Sequence, residues 1–146
     1  MRTLLVVLTF ISMVGSSYSQ VTSKDMIGLW ATCNVDSIYY IADTLTLYQD
    51  INRRTHLVNP CCYEINWDIS SSKKLIVKNL LACTEPGRIQ TINGKETFKL
   101  SKGIHQILTI KRSGKVIERF KLLKFEVQSV DRFPHEIKMM KLKRLQ

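Results

Sequence analysis

The sequence lacks the short motifs on which most catalytic sites are built. It has only six glycines, four cysteines and three histidines. No G-x-S-x-G elbow, H-E-x-x-H motif, phosphate-binding glycine loop or dinucleotide fingerprint is present. The cysteines do not have the paired C-x-x-C or Cys/His spacing of a zinc site. We therefore predict a protein that is not an enzyme and that has no metal site and no cofactor.

Scattered titratable residues do not change this prediction. The histidines, His56, His105 and His135, have no partner at helical spacing, and a catalytic histidine needs a partner within hydrogen-bond reach. A glycosidase pair of carboxylates remains as an alternative, and its candidates are Glu64, Asp68, Glu85, Glu96, Glu118 and Glu126. Most of these acids fall on strand faces that we predict to be wet, so we interpret them as solvated charges.

Long apolar runs are absent beyond the first residues, so no segment is predicted to span a membrane. Arg2 precedes an apolar run over residues 4–14, and small residues follow at Ser17 and Ser19. A charged start, a short apolar middle and small residues are typical of a secretory signal. We expect residues 1–19 to be a signal peptide that is cleaved, and the remaining chain to be exported to the periplasm or the extracellular space.

Acidic residues are few, with 12 Asp and Glu against 22 Lys and Arg, for a net charge of +10. A basic exported domain suits an anionic surface, but the same charge serves solubility, which we favour as the explanation. The basic stretches lack interleaved aromatics, so no nucleic-acid partner is expected. We expect a monomer.

The C-terminal residues 131–146 are basic, and their pattern fits either a helix or a last strand. They contain a cluster of four cations: Lys138, Lys141, Lys143 and Arg144. One explanation is contact with an anionic surface or with a partner strand. The other is an edge strand whose lysines prevent sheet-to-sheet aggregation, and we favour this second explanation.

Helical periodicity is weak between residues 20 and 130, where short β segments alternate with turn signals. About nine strands at short spacing predict one sandwich or up-and-down barrel. Residues 37–41 and 51–58 are among the predicted strands. Asn93-Gly94 and Ser113-Gly114 are hairpin signals, and a one-residue slip of the apolar phase at Leu122–Leu123 predicts a β-bulge.

The clearest alternation lies in residues 61–69. One face carries Tyr63, Ile65, Trp67 and Ile69, and the other carries Glu64, Asn66 and Asp68. This pattern predicts a strand with one buried and one wet face. Paired with residues 75–81 as a hairpin, one register sets Trp67 opposite Val77, and it also sets Ile69 opposite Leu75. A slip by two residues matches the faces equally well.

Export makes disulfides the expected state of the four cysteines. Continued outward, the hairpin register brings Cys61 opposite Cys83. We favour Cys61–Cys83 with Cys33–Cys62. The competing connectivity is Cys62–Cys83 with Cys33–Cys61.

An ordered set of segments resembles the small bacterial lipocalin-like proteins, which are exported β-barrels. It comprises Gly28-Leu29-Trp30, residues 63–67 with 75–77, and residues 98–101, 108–110 and 118–122. The resemblance implies an all-β fold, a single antiparallel up-and-down barrel of about eight or nine strands. It also implies non-catalytic binding of a small hydrophobic or amphipathic ligand at the barrel mouth.

Five large aromatics are the candidates for lining such a site, although each also suits a core: Trp30, Tyr63, Trp67, Phe98 and Phe120. If all of them crowd the interior, the barrel is solid. The alternative function is then an envelope or extracellular interaction protein with a filled barrel, which acts through its basic surface.

Overall fold

The computed structural model describes residues 20–49, 61–81, 83, 88–129 and 136–146. Within this part of the chain, eight antiparallel strands close into one barrel. The strands are β1 (Gly28–Cys33), β2 (Thr44–Gln49), β3 (Tyr63–Ser71), β4 (Lys74–Leu81), β5 (Arg88–Leu100), β6 (Ile107–Arg112), β7 (Lys115–Ser129) and β8 (Glu136–Arg144). The predicted all-β antiparallel barrel is confirmed. No helix among the described residues is long and apolar enough to span a membrane.

The C-terminal segment is the last strand of the barrel and not an edge. Strands β3 to β8 are neighbours in chain order, and β8 then pairs with β2, β2 with β1, and β1 with β3. Because β8 has a partner on each side, its lysines do not guard an exposed edge. That explanation of the basic cluster was wrong.

Local pattern predicted several features correctly. The β3–β4 register sets Trp67 opposite Val77 and Ile69 opposite Leu75, which is one of the two registers that matching the apolar faces allowed. The register of β7 against β8 shifts between Leu122 and Lys124, which confirms the bulge. Ser113 and Gly114 form the β6–β7 turn with positive φ angles of 48° and 80°, the backbone that a two-residue type I′ hairpin needs.

Two local predictions were wrong. Asn93-Gly94 does not form a hairpin, because β5 runs through it without a break and bulges against β4, where the register shifts on both sides of Val77. Residues 37–41 are not a strand. A 3-10 turn at Val35–Ser37 and a short helix, α1 (Ile38–Ile41), replace it. The predicted strand 51–58 lies outside the described residues.

The cysteines adopt the competing connectivity, Cys33–Cys61 and Cys62–Cys83. The favoured pairing assumed that β3 continues outward to Cys61, but β3 begins at Tyr63. Its other neighbour is β1, where Cys33 pairs in register with Glu64. That neighbour places Cys33 beside the start of β3, within reach of Cys61.

Large apolar side chains of the described residues pack together in the barrel interior. The buried core comprises Met26, Trp30, Tyr39, Leu45, Leu47, Ile65, Trp67, Ile69, Leu75, Val77, Phe98, Leu100, Leu108, Ile110, Phe120, Met140 and Leu142. The end of the barrel where β1 begins is here called the floor. The chain before β1 crosses it and buries Met26, and the Gln106 side chain holds it through both the N–H and the carbonyl of Val21, at 3.1 and 2.6 Å.

Gly28, the glycine of the Gly28-Leu29-Trp30 segment, lies at the floor with φ of +137°. A Cβ there would stand 1.7 Å from Nε2 of Gln49, which donates a hydrogen bond to the Ile27 carbonyl. Gly28→Ala is expected to lower the free energy of unfolding by about 2–3 kcal/mol in urea denaturation, through backbone strain and the displaced hydrogen bond. Gly103→Ala is the control, since Gly103 has φ of +112° but no atom within 4 Å of its Cβ position. Equal losses in the two variants would contradict the close approach.

Candidate functional site

The opposite end of the barrel, here called the mouth, is covered by the segment between β1 and β2. Asp36 and Ser37 have positive φ angles of 53° and 62°, which turn the chain across the opening. The turn inserts Tyr39, which is only 3% exposed. The Tyr39 hydroxyl accepts a hydrogen bond from Nε1 of Trp67 at 2.9 Å. The cover is therefore tied directly to the barrel core.

Arg144, at the end of β8, fastens this cover from the other side. Its guanidinium donates to the carbonyls of Tyr40 and Tyr39 at 2.6 and 2.9 Å. It also lies over the rings of Phe120 and Tyr39, at 5.4 and 5.9 Å from their centroids. One side chain thus satisfies two helix carbonyls and packs on two aromatic rings.

Four neighbouring strands each contribute one charged side chain to the mouth, in alternating sign. These are Glu96 on β5, Arg112 on β6, Glu118 on β7 and Arg144 on β8. Arg112 donates to Glu96 through Nε and Nη2 at 3.1 and 2.6 Å. Nη2 of Arg144 lies 3.5 Å from the Glu118 carboxylate. Such pairing offsets the cost of removing charge from water.

A cleft of about 240 Å³ opens between α1 and this row of charges. It is lined by Tyr39, Tyr40, Val77, Ile92, Glu96, Arg112, Ile117 and Glu118. Two of its apolar residues come from bulges. Ile92 is the extra residue of β5 between the partners of Val77 and Lys78, and Ile117 is the extra residue of β7 between the partners of Ile110 and Lys111. Bulges redirect side chains in this way.

Burial raises the pKa values of two titratable groups that line the cleft, Glu118 and Tyr39. Burial raises the pKa of the Glu118 carboxyl above its ordinary value of 4.5, while Arg144 opposes the shift. Burial also raises the pKa of the Tyr39 phenol, and the nearby Glu118 adds to this shift. The ion-pair contact of Glu118 is longer than that of Glu96. Glu118 is therefore the better hydrogen-bond acceptor for a ligand that enters the cleft.

The predicted ligand-lining aromatics lie elsewhere. Trp30, Trp67, Phe98 and Phe120 are buried in the core, whereas Tyr63, at the start of β3, is 53% exposed. None of the five is among the residues that line the cleft. Trp67 lies behind Tyr39 and packs against Phe120 with ring centroids 5.8 Å apart, so it supports the mouth from below.

The candidate acids were interpreted from sequence as solvated charges, and for the two acids at the mouth, Glu96 and Glu118, this was wrong. Glu96 is only 2% exposed and Glu118 is half-buried. A usable signal was present, since each mouth charge stands two residues from an inward-facing apolar residue. The four pairs are Glu96 with Phe98, Arg112 with Ile110, Glu118 with Phe120, and Arg144 with Leu142. Period two therefore places all four charges on the inner face.

Other candidate residues do not join this site. His105 is exposed beyond β5, and His56 and His135 lie outside the described residues. In the described ranges, no group of three or more His, Cys, Asp or Glu is placed to hold a metal ion. Comparison of the chain with protein-family models, with curated proteins and with solved structures finds no match.

Proposed function

We propose that this chain is an exported, lipocalin-like binding protein that holds a small amphipathic molecule in the mouth cleft and performs no chemistry on it. The observation that carries the proposal is the cleft itself, which Ile92 and Ile117 line together with the half-buried Glu118. Because the core residues occupy the barrel interior, we place the binding site at the mouth and not in the interior. The two disulfides suit an oxidising compartment.

The size of the cleft sets the size of the ligand. Ligand pockets commonly measure roughly 300–1,000 Å³, whereas an apolar cavity of roughly 150 Å³ is sufficient for benzene. A cleft of about 240 Å³ therefore suits a single ring or a short branched chain that carries one polar substituent.

The charges of the cleft set the polar group of the ligand. Arg112 is engaged by Glu96, and Arg144 by two backbone carbonyls, so both guanidinium groups are already committed. Of the two cleft carboxylates, Glu118 has the longer ion-pair contact, 3.5 Å to Nη2 of Arg144 against 2.6 Å from Glu96 to Arg112, so we take it as the acceptor. We infer that the ligand presents a hydrogen-bond donor, and that an amine is preferred over a hydroxyl because charge-assisted hydrogen bonds are the stronger ones.

Benzylamine, benzyl alcohol and benzoate share one ring and differ in that polar group, so calorimetric titration with each tests the proposal. Benzylamine is expected to bind most tightly and benzoate least. Glu118→Gln is expected to weaken benzylamine binding about tenfold, the effect of one charged hydrogen bond. Glu126→Gln removes a carboxylate of the same strand outside the cleft and is expected to leave binding unchanged. Tightest binding of benzoate would contradict the proposal.

The same complex is expected to depend on pH. The amine needs the ionised form of Glu118, so affinity is full above the pKa of the folded protein and is lost as the pH falls through it. Burial raises that pKa, so the loss begins at a higher pH than for an ordinary glutamate. Arg144, Glu96 and Arg112 stay paired around the carboxyl. A titration series between neutral and mildly acidic pH measures this, and the dependence should be absent from Glu118→Gln.

A further inference from the structure

The outer face of β5 to β8 is strongly basic. Inward pairs such as Leu122 with Leu142 set the phase of the strands, and the alternate positions point outward. Seven cations occupy these outward positions and define what we call the basic face: Lys99, Lys111, Arg119, Lys121, Lys124, Lys141 and Lys143. This face lies outside the barrel wall, away from the residues of the mouth cleft.

Four of these lysines oppose one another directly across β7 and β8. Lys121 stands opposite Lys143, and Lys124 stands opposite Lys141. Like charges directly opposite each other on one face of a sheet are destabilising. Of the seven cations, only Lys124 makes an ion pair within the described residues, at 2.6 Å to Glu126. The fold thus maintains an unfavourable arrangement that an external anion would relieve.

The bulge between the two lysine pairs adds an apolar contact. Leu123 is the extra residue of β7, flanked in sequence by Leu122 and Lys124 and placed between the two opposed pairs. Its side chain is 46% exposed. Exposure of this leucine to water is unfavourable. The leucine and the lysines around it would together suit a surface that has anionic groups outermost and an apolar layer beneath them.

We propose that the basic face docks the protein on an anionic lipid bilayer, with the opposed lysines at lipid phosphates and Leu123 in the interfacial layer. A dissolved polyanion would satisfy the lysines but would leave Leu123 in water. A bilayer satisfies both, because it offers negative headgroups over an apolar interior. This inference goes beyond ligand binding at the mouth and does not depend on it.

Vesicle co-sedimentation tests the docking. Wild-type protein is expected to bind vesicles of equal parts phosphatidylglycerol and phosphatidylcholine, to release them as salt rises, and not to bind phosphatidylcholine alone. Lys121→Gln with Lys143→Gln is expected to weaken binding about 25-fold, since each lysine near an anionic surface contributes about fivefold. The double variant removes an opposed pair, so it should unfold at a temperature no lower than wild type.

Matched controls separate the specific face from net charge. Lys102→Gln with Lys115→Gln removes the same charge at two exposed positions outside the basic face, one after the end of β5 and one at the start of β7, and is expected to weaken binding only about twofold. Leu123→Ser is expected to reduce vesicle binding but not retention on a sulfated polysaccharide column. Equal losses in the two double variants would overturn the proposal, as would vesicle binding that is insensitive to Leu123→Ser, which would point to a dissolved polyanion.

Discussion

Replacing Trp67 with alanine is expected to lower the free energy of unfolding by about 3–5 kcal/mol, the range for truncating a buried aromatic. Trp67 is fully buried, packs against Phe120 and donates to the Tyr39 hydroxyl. The loss therefore combines a cavity in the core with release of the mouth cover. Guanidinium denaturation followed by circular dichroism measures it.

Tyr63→Ala is the matched control for this prediction. Tyr63 lies on the same strand and is predicted from sequence to share the face of Trp67, yet it is half exposed. Its truncation is expected to cost less than about 1 kcal/mol. If Tyr63→Ala and Trp67→Ala lowered the free energy of unfolding by similar amounts, the burial of Trp67 and the exposure of Tyr63 would be contradicted.

The hydrogen bond between the core and the cover is separable from the packing by a double-mutant cycle of Trp67→Phe and Tyr39→Phe. Each single change leaves one buried polar group without its partner, whereas the double change removes both. We expect a coupling free energy of about 1 kcal/mol. Zero coupling would indicate that the cover is not tied to Trp67.

Loss of either disulfide is the second large expected effect. The Cys33–Cys61 bridge closes a separation of 28 residues and the Cys62–Cys83 bridge one of 21. By loop entropy, removing either one is expected to cost about 3 kcal/mol. Chemical denaturation of Cys33→Ser with Cys61→Ser, and of Cys62→Ser with Cys83→Ser, after production in an oxidising compartment measures these losses.

Thiol counting on the same variants decides the connectivity. Each of these double variants keeps an intact bridge and should show no free thiol. Cys33→Ser with Cys62→Ser breaks both bridges and should leave Cys61 and Cys83 reactive. If that variant instead proves thiol-free while the other two react, the pairing favoured from sequence is correct and the structure's pairing is not.

What the sequence predicted well was local. Matching apolar faces across a short turn reduced the β3–β4 pairing to two registers, one of which is observed, and the bulge at Leu123 followed from a one-residue slip in phase. The Ser113-Gly114 turn followed from backbone preference. Each of these depends on residues that are close along the chain, where patterning and turn chemistry act directly.

What it could not predict depends on strands that are distant in sequence. The disulfide pairing requires knowing that β1 lies beside β3. Asn93-Gly94 is a hairpin signal in isolation, but the pairing of β5 with β4 carries the strand through it as bulges. The cleft depends on two such pairings, β4 with β5 and β6 with β7. Ile92 and Ile117 reach the cleft only because the register shifts in these pairings. At these positions, strand pairing in the closed barrel overrides the local turn and strand preferences of the sequence.

The mouth charges form an intermediate case. Period two placed Glu118 in phase with Phe120, which marks it as inward, but an acid in an apolar phase was interpreted as a solvated residue. The structure shows instead that four inward charges neutralise one another in a row across β5 to β8. An isolated inward charge is costly, whereas an alternating set across neighbouring strands is not.

We propose that the mouth cleft, and not the packed interior of the barrel, is the binding site. The most direct test is an NMR titration of the ¹⁵N-labelled protein with benzylamine. Saturable shifts confined to the backbone amides around Tyr39, Ile92 and Glu118, and lost in Glu118→Gln, are the predicted result. Shifts centred on the floor at Val21 and Gln106, or no saturable shift at all, would contradict the claim.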